Sequence, residues 1–259
     1  MKQSIENPHG ITVGGDPEIA LYLGDEPISA HEIIPGTKEK PHKLASGACQ
    51  LDGMAVEINI DPAKSEEEYE HNINSVIGEV RKIVPSKYSL RYVPCVQFSP
   101  LVLDRVPTFH KELGCNPDWN AYSGLINPSP MERLKLISNH RSFGGHISAG
   151  WTKDKDKEDP SHVLDCEMVI KNLDPFYMHI KEKVDADVLR AELYGKPGAY
   201  RPTPFGVEYR TPSNAWVGYP RMYRYMFGLV VSVINGMHNG LEFQVPKFKQ
   251  EYLEQVRAD

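Results

Sequence analysis

Residues 11–23 read ITVGGDPEIALYL. After the Gly14–Gly15 pair the side chains alternate, with Asp16, Glu18, Ala20 and Tyr22 on one face and Ile19, Leu21 and Leu23 on the other, which is the period of a β-strand. Two carboxylates thus share one side of a strand whose other side is apolar. The pattern recurs downstream. Residues 53–61, GMAVEINID, turn Met54, Val56, Ile58 and Ile60 toward a core and Glu57 and Asn59 away from it. Residues 143–151, FGGHISAGW, place His146, Ser148 and Gly150 on one face, and their glycines weaken a strand unless something must approach its backbone closely. Residues 206–211, GVEYRT, form a short strand with Glu208 and Arg210 on one face. As neighbours in one antiparallel sheet, these four strands would bring their polar side chains together.

Ser65-Glu66-Glu67-Glu68 is a capping box with acids in the first helical turn, and Tyr69, Ile73, Val76, Ile77, Val80, Ile83 and Val84 follow at helical spacing until Pro85. Residues 88–98 read as a strand in which Pro94 marks an edge or a bulge. Residues 31–47 and 113–130 lack periodicity and carry turn residues, so they read as loops. Helices are expected over 162–173, 185–194, 220–237 and 248–257, the last amphipathic through Phe248, Tyr252, Leu253 and Val256. No repeat, low-complexity tract or linker divides the chain, so the expectation is one α+β domain over 1–259 with its core at about 11–240.

Composition narrows the function classes. Of 259 residues, 29 are Lys or Arg and 35 are Asp or Glu, giving a net charge of −6, with 40% hydrophobic residues. A chain of this kind buries a proper core and needs no disulfide or structural metal merely to fold. Its negative charge argues against nucleic acid and membrane surfaces as partners. The longest apolar stretch, around Phe227–Ile234, is interrupted by Ser232 and falls short of the roughly 18 residues of a membrane span. Residues 3–8, QSIENP, have nothing of a signal peptide, and Cys49, Cys95, Cys115 and Cys166 form no CxxC pair, so reduced thiols in a cytoplasmic protein are expected.

Carboxylates brought together repel and raise one another's pKa unless a cation sits among them. Any one of these acids alone reads as part of a solvated strand face; together they point to a metal site. Oxygen-rich ligands with an occasional imidazole suit Mg²⁺ or Mn²⁺ better than zinc. Residues 196–225 reverse the local charge, with Lys196, Arg201, Arg210, Arg221 and Arg224 against Glu208 alone. Guanidinium forks beside divalent metals suggest phosphoryl transfer, although for Arg221 and Arg224 mere helix decoration is an equal reading. No P-loop pattern is present. Lys38 and Lys40, in the loop after the first strand, read equally as phosphate contacts or solvated lysines. Lys196 and Arg201, just before the GVEYRT strand, and Arg141, just before the glycine-rich one, are better placed. Asp118 and Trp119 read as a substrate wall or as a turn around a buried Trp.

GGDPE, DGMAVE, GGHISAG and FGVEYRTPSNAW, in that order and spacing from Gly14 to Trp216, resemble the phage-type carboxylate-amine ligases of the glutamine synthetase and glutamate-cysteine ligase superfamily. The resemblance implies a curved antiparallel sheet whose concave face holds Mg²⁺ or Mn²⁺ ions and the ATP phosphates, with helices packed behind. It implies Asp16, Glu18, Glu57, His146 and Glu208 as metal ligands and Arg210 as the contact to phosphate or acyl phosphate. Two departures stand out: Ser148 replaces the second histidine of a GHxHxG pattern, and the first acid is the shorter Asp16.

The implied reaction joins a small-molecule carboxylate to an amine. ATP phosphorylates the carboxylate, and the amine displaces phosphate from the acyl phosphate to give an amide. Arg210, Arg201 and Arg141 are the expected catalytic cations, and Lys38, Lys196, Arg201 and Ser148 the expected nucleotide contacts. Asp52 is a candidate base for the amine, but five residues from Glu57 it would face the other way on a regular strand. The expected location is the cytoplasm, that of the host if the chain is phage-encoded. A small-molecule kinase of the same fold, a metal-dependent hydrolase and a non-enzymatic interaction protein remain as alternatives.

Overall fold

The computed structural model describes residues 5–111, 118–128 and 138–240. The stretch 11–23 folds as two strands, β1 (Thr12–Gly15) and β2 (Glu18–Leu23), interrupted at Asp16–Pro17. β3 (Glu26–Ile28) folds back on β2, and β4 (His42–Leu44), β5 (Gly47–Asp52) and β6 (Ala55–Ala63) then run to and fro. One edge of β6 pairs with β5, and the other pairs with β1 at Val13 and Gly15 and with β2 at Glu18 and Ile19. The broken strand therefore keeps one partner, and the break turns both acids toward the same region.

Ser65 caps α1 (Glu66–Ile83), its hydroxyl accepting from the Glu68 backbone N–H at 3.1 Å, as the capping box predicts. The expected strand at 88–98 splits at Pro94 into β7 (Tyr88–Arg91), which joins β2, and β8 (Cys95–Gln97). Two short helices follow, α2 (Pro100–Asp104) and α3 (Thr108–Lys111). Within the expected loop 113–130, β9 (Trp119–Asn120) and β10 (Leu125–Ile126) form a hairpin. β11 (His140–Ser142) pairs with β8 in a separate two-stranded ribbon, and β12 (Ile147–Gly150) is the glycine-rich strand. α4 (Pro160–Val184) continues past the expected end at 173 and through Pro175. α5 (Val188–Leu193), β13 (Ala199–Thr203), β14 (Gly206–Tyr209) and α6 (Arg221–His238) complete the described chain. The expected helix at 248–257 lies outside the described residues.

Among the described residues twelve strands form one open, curved antiparallel sheet, with the spine β10-β9-β13-β14-β12-β1-β6. Its two faces follow from side-chain parity. Val56, Ile58 and Ile60 of β6, Ile147 and Ala149 of β12, and Val207 and Tyr209 of β14 join the main core. Against them pack Tyr69, Ile73 and Val76 of α1, Val169, Leu173 and Tyr177 of α4, and Met226, Leu229 and Val230 of α6. At roughly 1.5–3 kcal/mol for each fully buried large aliphatic or aromatic side chain, this layer fixes the register of every strand it touches. A smaller cluster, including Ala20, Tyr22, Met54, Phe98 and Phe143, lies apart from that core. Glu57, Ser148 and Glu208, of opposite parity to the core residues, are left on the face away from the helices. Among the described residues no helix is long and apolar enough to cross a membrane.

Candidate metal and phosphate site

Strand pairing lines the polar residues up in two rows. Glu18 lies directly opposite Glu57, and Glu57 opposite Gln50. Gly14 lies opposite Ser148, Ser148 opposite Glu208, and Glu208 opposite Arg201. The rows feed two groups of ligand atoms, Asp16, His146 and Glu208 in one and Glu18, Asp52 and Glu57 in the other; within each group the atoms lie within 4.8 Å of one another. All five expected metal ligands are brought together, but in two sets, and Asp52 is a sixth member.

Asp52 corrects the expectation that it faces away from Glu57. The argument from five-residue spacing assumes one continuous strand, whereas the chain reverses at Gly53 and Met54, with Asp52 paired to Ala55 and φ of +55° at Gly53. Across a hairpin, pairing decides which residues share a face, and Asp52 falls on the same side as Glu57. The Asp52-Gly53 dipeptide, a hairpin signal between two alternating runs, could have revealed it.

In the first group His146 Nδ1 lies 3.3 Å from Glu208 Oε1 and 3.6 Å from Asp16 Oδ1. Arg210 stands beside it, Nη1 paired with Glu208 and Nε with Asp118, and Arg201 Nη1 is 3.4 Å from Glu208 Oε2. Burial opposes ionisation of Glu208, but the hydrogen bond from His146 and the charges of Arg210, His146 and Arg201 outweigh it and hold the carboxyl well below the usual range. Burial and Arg210 would lower the His146 pKa, yet its contacts with Asp16 and Glu208 raise it overall.

The second group is the more electronegative. Glu57 accepts from Gln50 Nε2 at 3.1 Å, and Glu18 accepts from the Gly144 backbone N–H at 2.8 Å. Burial first, then the charges of Asp16, Asp52 and Glu18, push Glu57 up to about 10, and burial followed by Asp52 raises Glu18. Lys38 brings a positive charge to the group, its Nζ 2.8 Å from Asp52 Oδ1.

Both groups open into one cavity of about 330 Å³, which Lys38, Arg141, Arg190, Arg201 and Arg210 also line. Arg141 reaches the wall as expected, but its guanidinium donates to the carbonyls of Ser138, His140 and Lys111, each at 2.7 Å. Asp118 is a wall residue through its bond to Arg210. Trp119, half-buried in β9, pairs with Tyr200. Three candidate residues lie off the cavity wall. The Lys196 side chain is not part of the cavity lining; this residue's carbonyl instead accepts from Thr211 Oγ1. Ser148 keeps its place in the row opposite Glu208 but does not line the cavity. Arg224 pairs with Glu70 and Glu67, tying α6 to α1 on the helical side.

Arg190 was not legible as a site residue, because an arginine on a short helix reads as solvated. It is buried, and three of its nitrogens donate to the carbonyls of Phe143 at 3.1 Å, Thr211 at 3.0 Å and Pro212 at 2.9 Å. It thereby clamps the segment leading to His146 against the segment leaving Arg210. The glycines of GGH have the same origin: a Cβ at Gly144 would lie 2.5 Å from His146 Nε2, and one at Gly145 2.1 Å from the Ser213 carbonyl.

The residues fit divalent cations of the Mg²⁺ class. Five carboxylates and one imidazole make up the two groups. Asp16 Oδ1 is buried without a hydrogen-bond partner, and an acceptor left so is costly unless a cation or donor reaches it. Comparison with protein-family models and with curated proteins returned no match.

Proposed function

We propose that the protein is an ATP- and Mg²⁺- or Mn²⁺-dependent ligase that joins a small-molecule carboxylate to an amine through an acyl phosphate. The observation that carries this reading is the joint presence, in one cavity, of two three-residue ligand groups and the cations Lys38, Arg201 and Arg210. Two-ion sites clamp both oxygens of an in-line phosphoryl displacement, and flanking guanidinium groups neutralise charge that develops on it. A hydrolase would use the same ligands but leave these cations without an anion to hold. The four motifs that resemble phage-type carboxylate-amine ligases converge on this cavity, which adds support.

In this reading Asp16, His146 and Glu208 hold one ion and Glu18, Asp52 and Glu57 another, and the ions supply charge neutralisation for the phosphates. Arg210, oriented by Asp118 and Glu208, and Arg201 contact the transferring phosphoryl group. The substrate carboxylate oxygen attacks the γ-phosphorus as the bond to ADP breaks; the amine nitrogen then attacks the acyl carbon, phosphate leaves, and the proton the amine loses passes to the departing phosphate or to water. Placing Asp52 among the ligands removes it as the base for that proton. Arg141, fixed to backbone carbonyls, shapes the cavity wall. The cytoplasm supplies ATP and suits the free thiols of Cys49, Cys95 and Cys166.

The test is phosphate release during a screen of amino acids and small amines. Release that requires ATP, metal, a carboxylate and an amine together supports the ligase. Release without the amine, with a stable phosphorylated product, identifies a kinase. Hydrolysis of a substrate without ATP identifies a hydrolase.

A further inference from the structure

Resting on the metal and nucleotide reading above, we propose that Lys38 is a built-in competitor for the ion at the Glu18, Asp52 and Glu57 group. An ion entering this group displaces the ammonium from Asp52 and turns it toward the phosphates of the nucleotide. Metal loading and nucleotide binding are thereby coupled through one side chain.

The turn that carries Lys38 is built to present a side chain rather than to move. Thr37 and Lys40 exchange two backbone hydrogen bonds of 3.1 Å, which places Lys38 at the tip. The base is pinned where the Leu51 N–H donates to the Gly36 carbonyl at 3.2 Å. Gly36 has φ of +89°, and a Cβ there would lie 2.6 Å from His42 N and 2.7 Å from the Cys49 carbonyl. What remains free to reorient is the flexible four-carbon stem with its point charge.

The ammonium is already held by one member of that group. It is 2.8 Å from Asp52 Oδ1 and feels the charges of Glu57 and Glu18 as well. Burial would lower the Lys38 pKa, but the hydrogen bond to Asp52 and the three carboxylates raise it. The other group also has a side-chain cation, Arg210, but that one is held between Glu208 and Asp118 with its side chain 7% exposed, whereas the Lys38 side chain is 57% exposed. The two positions therefore differ in how easily the resident cation yields. A divalent ion attracts Asp52 with twice the charge of the ammonium, and two cations held against one carboxylate repel each other. Once displaced, the ammonium faces an ion-loaded, less negative group, and a phosphate at the cavity becomes its better partner.

The experiment measures Mn²⁺ binding by electron paramagnetic resonance, and binding of a non-hydrolysable ATP analogue to the Mn²⁺-loaded protein by calorimetry. Wild type is compared with Lys38→Met, Lys38→Gln and, as a control on the same turn, Lys40→Met. Both Lys38 variants should bind one Mn²⁺ about tenfold tighter and the nucleotide several-fold weaker, opposite signs that a general loss of structure would not produce. Lys40→Met should change neither. Mn²⁺ affinity that is unchanged or weaker in the Lys38 variants, or nucleotide affinity that is not reduced, would overturn the inference while leaving the metal site standing. Wild-type protein that binds no Mn²⁺ would overturn both.

Discussion

Glu18 and Glu57 stand directly opposite each other across the β2–β6 pairing, and Asp52 joins them from the far side of the β5–β6 hairpin. Like charges opposite each other destabilise a sheet, and burial magnifies the penalty. The core beneath them, Val56 and Ile58 packed on the helices, holds the pair in place regardless. The arrangement makes structural sense when a cation neutralises it.

Metal should therefore stabilise the fold, and Glu57→Gln should separate charge from shape. In chelated protein the variant melts higher than wild type, because Gln is neutral without the proton that Glu57 must take up on folding. The rise in melting temperature that Mn²⁺ gives wild type should largely vanish in the variant. Thermal scans with and without chelator check both signs.

The pH dependence of chelated protein follows from the same residue. Burial and its acidic neighbours push Glu57 from an ordinary 4.5 to about 10, so the folded state holds a proton that the unfolded state has released. A raised folded-state pKa means stability is lost as pH rises, here from near the ordinary 4.5 up to about 10. Urea titrations should show this decline in chelated wild type and a flatter profile in Glu57→Gln.

Asp16→Asn and Asp52→Asn should each remove one ion rather than two, because they belong to separate groups. Metal analysis after equilibrium dialysis should find two ions per chain in wild type and about one in each variant. A loss of both ions in either variant would mean a single shared centre.

Arg210→Ala should slow turnover by about a hundredfold or more, lowering kcat and kcat/KM together, with little rescue by Arg210→Lys. Because it takes a partner from Asp118 and one of the three basic side chains that Glu208 contacts, it should also destabilise chelated protein, by up to about 3–5 kcal/mol. Metal should recover part of that loss, so the metal-induced rise in melting temperature should exceed that of wild type.

Gly195→Ala should be among the more damaging small substitutions in the protein. Gly195 has φ of +67°, and a Cβ there would lie 1.9 Å from Arg190 Nη1 and 2.7 Å from the Thr211 carbonyl. The clamp that Arg190 makes on Phe143, Thr211 and Pro212 would have to shift, at a cost of several kcal/mol, roughly 2–4. Urea denaturation checks it, with Gly240→Ala as the comparison, since a Cβ there meets nothing within 4 Å.

The period-2 alternation around Glu57, His146 and Glu208 determined the faces of β6, β12 and β14, because an apolar row that must meet a core leaves the other row outside. The capping box at Ser65 determined the start of α1, since that signal is local. Five of the six candidate ligand residues were legible in the same way. What the sequence left undetermined depended on partners distant in the chain. β5 and β13 are strands because they pair with β6 and β14, and the short runs GACQLD and AYRPT carry too little alternation to announce it. Asp52 joins Glu57 because the hairpin reverses the chain between them. Lys196 does not line the cavity although it precedes the right strand, and Arg190, from a helix with no local signal, fixes the segments flanking the site. Local pattern sets which face a side chain takes; only the packed sheet decides which faces meet, because that depends on pairing between segments up to about two hundred residues apart, such as Glu18 and Asn214.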